Sequence, residues 1–112
     1  MNTQESATQT VLMHLRDVEH RMNDFGSALP SANERTTHQL VIARVDEYDI
    51  GWVFFYNSKE YVETGNFLYA LAGNGPLIVD RVDGKLYATG SGQPVEFFIE
   101  EFRKGNRRPA LT

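Results

Sequence analysis

The sequence has 112 residues, of which 41% are hydrophobic and 23% charged, with a net charge of −4 and no cysteine. That length suits one domain rather than two, the composition is that of a folding chain, and the absence of thiols excludes a disulfide framework, a thiolate nucleophile and a thiolate metal site. The acidic excess lies between Val45 and Val79, where Asp46, Glu47, Asp49, Glu60 and Glu63 face one base, Lys59. Such a surface repels phosphate, so it argues against nucleic acid and for a basic partner.

In chain order, MNTQESATQT is polar and carries neither the basic nor the apolar region of a signal peptide, and no apolar run is long enough to span a bilayer. The expectation is a soluble cytoplasmic protein with no membrane association. Ser6-Ala7-Thr8-Gln9 has the form of a capping box, and Val11, Leu12, Leu15, Val18 and Met22 follow at near-helical spacing. A first helix is therefore predicted from about Thr8 to Asp24, stopped at Phe25-Gly26, with residues 26–37 as a loop around Pro30. Residues 1–5 are expected to be flexible.

HQLVIARVD, from His38 to Asp46, is rich in β-branched residues, and GWVFFYN, from Gly51 to Asn57, is a second strand signal. The acidic turn Glu47-Tyr48-Asp49 joins them into a hairpin. In the second strand Trp52, Phe54 and Tyr56 point to one face and Val53 and Phe55 to the other, because side chains alternate. With both faces apolar, that strand is expected to be central. Phe67, Leu68 and Leu71 before Gly73 then suggest a short helical turn between hairpins. Leu77–Asp80 and Lys85–Thr89, joined around Asp83-Gly84, read as a second hairpin. Pro94 stands where a first helical position belongs, and Val95, Phe98, Ile99 and Phe102 repeat with helical period before Gly105. Residues 106–112 are expected to be flexible. The predicted fold is a single α+β domain over residues 1–112, an antiparallel sheet of about four strands in two hairpins, with the N-terminal and C-terminal helices together on one face.

Few constellations carry chemistry. His14, Asp17 and His20 lie at i, i+3 and i+6, where the two imidazoles diverge by about 120° around a helix and do not close on one metal ion. They read as a solvated helix face. Thr89-Gly90-Ser91-Gly92 lacks the lysine of a phosphate loop and reads as a strand-to-helix turn. Glu60 and Glu63 form a carboxylate pair at i and i+3, but no nucleophile, metal ligand or oxyanion donor accompanies them. The expectation is a protein without enzymatic activity, metal or cofactor.

Taken together, Gly51-Trp52 followed by Phe54, Tyr61-x-x-Thr64-Gly65, Leu71-Ala72-Gly73-Asn74, Pro76 with Ile78-Val79-Asp80, Gly84, and Gly92-x-Pro94-x-Glu96 opening an aromatic helix resemble the immunity protein 35 family. The resemblance covers His38 to Phe102. It implies a small α+β protein encoded beside a bacterial toxin of a polymorphic, contact- or secretion-delivered system, which it neutralises by binding. A stand-alone housekeeping or chaperone-like protein is the rival reading. Asp46, Glu47, Tyr48, Asp49, Glu60, Tyr61 and Glu63 are the expected toxin-binding residues, tyrosine beside carboxylate being a common interface pairing. Gly51, Trp52, Phe54, Gly73, Asn74, Pro76 and Gly84 are expected to serve the fold.

Overall fold

A computed structural model describes residues 2–27, 39–66, 75–90 and 92–109. Helix α1 spans Gln4–Ser27 and begins earlier than the Ser6 signal suggests. Thr3 is the cap: its Oγ1 accepts from Ser6 N at 3.1 Å, while Ser6 Oγ accepts from Thr3 N at 2.9 Å. Ser6 thus holds the reciprocal third position of a capping box rather than its start. Ala7, Val11 and Leu15 form the buried stripe of the helix, with Val18 packed beside it.

Strands β1 (Leu40–Tyr48), β2 (Gly51–Ser58), β3 (Leu77–Asp80), β4 (Leu86–Ala88) and β5 (Arg108–Pro109) form one sheet in that order. Every neighbouring pair is antiparallel. The β1–β2 hairpin closes at Tyr48↔Gly51 and carries an irregularity between Ile42 and Arg44. Strand β5 comes from the tail expected to be flexible, and it pairs Tyr87 with Pro109 and Ala88 with Arg108. Helix α2 (Lys59–Thr64) follows β2 directly, capped by Ser58, whose hydroxyl accepts from Tyr61 N. The helical turn expected over Phe67–Leu71 lies outside the described residues, as do Gly73 and Asn74.

Helix α3 (Val95–Arg103) starts one residue after Pro94, which is its N-cap rather than its first helical residue. The two long helices do not share a face of the sheet. Against α1 lie Leu40, Trp52, Phe54, Leu77 and Val79. Against Ile99 and Phe102 of α3 lie Val53, Ile78 and Tyr87. The cause is written in β2, whose successive residues Trp52, Val53 and Phe54 are 2%, 0% and 0% exposed. A strand apolar on both sides leaves a hydrophobic surface in water unless each face receives its own cover. His14 follows from the same packing: it is buried, 9% exposed, on the sheet side of α1 instead of on a solvated face.

Gly51 shows why a side chain is excluded at the start of β2. Its φ is +150°, and a Cβ there would sit 2.0 Å from Val79 O and 2.9 Å from Arg81 N. Only glycine lets β2 approach β3 at the point where Arg81 N donates to Ile50 O at 2.9 Å. Pro76 immediately precedes β3, and its carbonyl accepts from Thr89 Oγ1 at 2.6 Å. Gly84 lies in the β3–β4 turn.

Candidate functional site

Because Gly51 pairs with Asp80, the β1–β2 turn and the β3–β4 turn lie at the same end of the sheet. Three arginines bind carboxylates there. Arg81 Nη2 donates to Glu47 Oε2 at 2.6 Å and to Tyr48 O at 2.9 Å, with its guanidinium 4.7 Å from the centre of the Trp52 ring. Arg103, in the last turn of α3, forks onto Asp49, with Nε 3.1 Å from Oδ2, and also binds Glu100. Arg107 Nη1 reaches Asp80 Oδ2 at 2.8 Å while its guanidinium lies 3.9 Å from the centre of the Phe102 ring. Asp80 is itself buried, and its Oδ1 accepts from Val82 N and Asp83 N, which shapes the β3–β4 turn. Asp46 pairs with Arg44 at 3.0 Å.

The electrostatics follow from these contacts. The hydrogen bond from Arg103 holds the Asp49 carboxyl below its ordinary range. Tyr87 donates to Asp83 Oδ2 at 2.6 Å, and this bond, assisted by burial, raises the tyrosine pKa above its ordinary value.

The structure divides the residues expected to form one acidic rim. Asp46, Glu47, Tyr48 and Asp49 lie at the turn end, whereas Glu60, Tyr61 and Glu63 lie on α2 beyond the far end of β2. The eight residues of β2 separate them by roughly 20–25 Å at about 3.3 Å per residue. Nor is the turn cluster uncompensated: Arg81 and Arg103, both outside the Val45–Val79 window, neutralise Glu47 and Asp49 in space. These pairs stay accessible, with Glu47 and Asp49 side chains 56% and 64% exposed. On α2, Glu63 faces Lys59 at 3.9 Å and is exposed. Trp52 and Phe54 are in the core, and Trp52 Nε1 has no hydrogen-bond partner among the described residues, so the indole contributes bulk and ring contacts. Among the described residues no group of three or more His, Asp or Glu is placed to hold a metal, and no helix is long and apolar enough to cross a membrane.

A feature that helical periodicity passed over lies between α3 and β4. A groove of about 430 Å³ is lined by Ile78, Ala88, Phe97, Phe98, Glu101 and Phe102, among others. Phe97, one position off the buried stripe, is 45% exposed and meets Phe98 edge-to-face at 5.3 Å. The usable signal was an aromatic residue, Phe97, outside the predicted stripe of Val95, Phe98, Ile99 and Phe102.

Comparison with known proteins adds family context. An uncharacterized protein YrhB from Escherichia coli (strain K12) is 32% identical over 63 residues, which cover 56% of this chain and 67% of that protein. No solved structure gives a significant match. The family described as Immunity protein 35 matches residues 5–105, taking in α1 as well as both hairpins and α3. The chain therefore belongs to the immunity protein 35 family.

Proposed function

We propose that this chain is an immunity protein that binds a cognate bacterial toxin in the cytoplasm and neutralises it by occluding the active site, without turnover of its own. The family match over residues 5–105 is the observation that carries this reading. The surface chemistry supports it. Glu47 and Asp49 are held by arginines yet remain more than half exposed, so a basic partner can reach them and exchange those cations for its own. Tyr48 sits between them, and Glu60, Tyr61 and Glu63 lie roughly 20–25 Å away, a span that one ordinary interface of about 800 Å² per partner covers.

Co-expression with the product of the adjacent reading frame tests the proposal. The expected result is rescue of growth and a stoichiometric complex. Absence of both, beside an unrelated metabolic gene, would sink the immunity reading in favour of a housekeeping or chaperone-like role. Where a complex forms, changing Asp46, Glu47 and Asp49 to Lys should slow association about tenfold or more at low salt, with the difference shrinking as salt is added. Equal association rates at both salts would remove the turn cluster from the interface.

A further inference from the structure

We propose that the groove between α3 and β4 receives an apolar side chain from a basic segment of the toxin, with Phe97 as the anchor on this side. The partner's identity rests on the neutralisation reading; the surface itself rests on geometry. Met13 of α1, Val62 of α2 and Val82 of the β3–β4 turn are exposed as well, but none of them lines the groove. Phe97 differs because it stands at the rim of a cavity. The cavity's wall continues through Phe98 and Phe102 to Ile78 and Ala88 of the sheet. The volume of about 430 Å³ accommodates a leucine- or phenylalanine-sized side chain, and a concave apolar patch with an aromatic at its edge is the usual setting of a binding hot spot.

The charges around the groove select the flanking chemistry. Helix α3 carries Glu96, Glu100 and Glu101. Glu96 is exposed and makes no ion pair among the described residues, and Glu101 meets Lys104 at 3.8 Å and Asn106 at 3.2 Å. The helix's arginine is committed elsewhere, since Arg103 is engaged by Asp49 and Glu100. Arg107, the cation on the groove wall, is taken up by Asp80. Arg103, Lys104 and Arg107 are thus set against Asp49, Asp80, Glu96, Glu100 and Glu101, which leaves carboxylates in excess with Glu96 unpaired among the described residues; a lysine or arginine beside the apolar anchor satisfies that excess, whereas an acidic neighbour is repelled.

The test is a titration of 15N-labelled protein with two capped pentapeptides, Lys-Arg-Leu-Arg-Lys and Glu-Asp-Leu-Asp-Glu, followed by amide chemical shifts. The basic peptide should move the signals of Ala88, Thr89, Phe97, Phe98 and Glu101, and the acidic peptide should not. Phe97→Ser should weaken binding by about tenfold or more, as for a hot-spot truncation, with an unchanged melting transition because the ring is half in water. Glu101→Lys, a second and independent variant, should reverse the preference between the peptides. No shifts at these residues, an equal response to both peptides, or shifts confined to Glu47 and Asp49 would overturn the inference. Self-association of the wild type that disappears in Phe97→Ser would overturn it too, by assigning the groove to a second copy of the chain. Failure of toxin neutralisation with the peptide map as expected would count against the immunity reading alone.

Discussion

Replacing Gly51 with Ala probes the contact that holds the two hairpins together. The new Cβ would lie 2.0 Å from the Val79 carbonyl oxygen and 2.9 Å from Arg81 N, both backbone atoms that no rotamer change can move aside. Relief requires β2 and β3 to part by more than 1 Å where Arg81 N donates to Ile50 O, or φ to leave +150°. A strained φ costs about 1–3 kcal/mol, and a buried backbone donor left unmade costs about 1–3 kcal/mol more. A total of about 2–6 kcal/mol, with a urea slope of about 1.5 kcal/mol/M, lowers the unfolding midpoint by roughly 1–4 M. Trp52 is the only tryptophan and the next residue, so its fluorescence reports the transition directly. Gly65→Ala is the control: φ is +73° but nothing lies within 4 Å of the added Cβ, so the left-handed backbone alone costs about 1–2 kcal/mol. A Gly51→Ala midpoint equal to that of Gly65→Ala, or to wild type, would refute the close-approach account.

Trp52→Ala should lose about 3–5 kcal/mol by circular dichroism in urea, a large part of a small domain's stability, whereas an unchanged midpoint with lost toxin binding would move Trp52 from core to interface. Arg103→Gln should raise the Asp49 pKa toward the ordinary carboxylate range in an NMR titration. Because the folded pKa lies below the unfolded one, the pair stabilises above the unfolded value and that contribution is lost as pH falls through the folded one. An Asp49 pKa that stays put in Arg103→Gln would mean the fork is not formed in solution. Asp83→Asn should lower the Tyr87 pKa, read by ultraviolet titration. Here the folded value is raised, so the hydrogen bond contributes fully below the unfolded tyrosine range and is lost as pH rises through the folded value; an unchanged titration would discount the bond.

Local patterns carried much of the fold in advance. Alternation in GWVFFYN, β-prone runs on either side of Asp83-Gly84, and the stripes Val11–Leu15 and Ile99–Phe102 depend on residues a few positions apart, and each became the expected strand, turn or helix. The motifs from Gly51 to Glu96 also sufficed to place the chain in its family. Which face each helix covers was not legible, because β2 is apolar on both sides and periodicity identifies a helix's buried stripe without naming the surface it meets. Nor was the neutralisation of the acidic turn: Arg81 is 34 positions from Glu47 and Arg103 is 54 from Asp49, and only strand register and the docking of α3 bring them together. The same register separated Glu60 and Glu63 from the turn carboxylates they neighbour in composition. Charge summed along a chain is a one-dimensional quantity, and the field a partner meets depends on distances that tertiary packing alone sets.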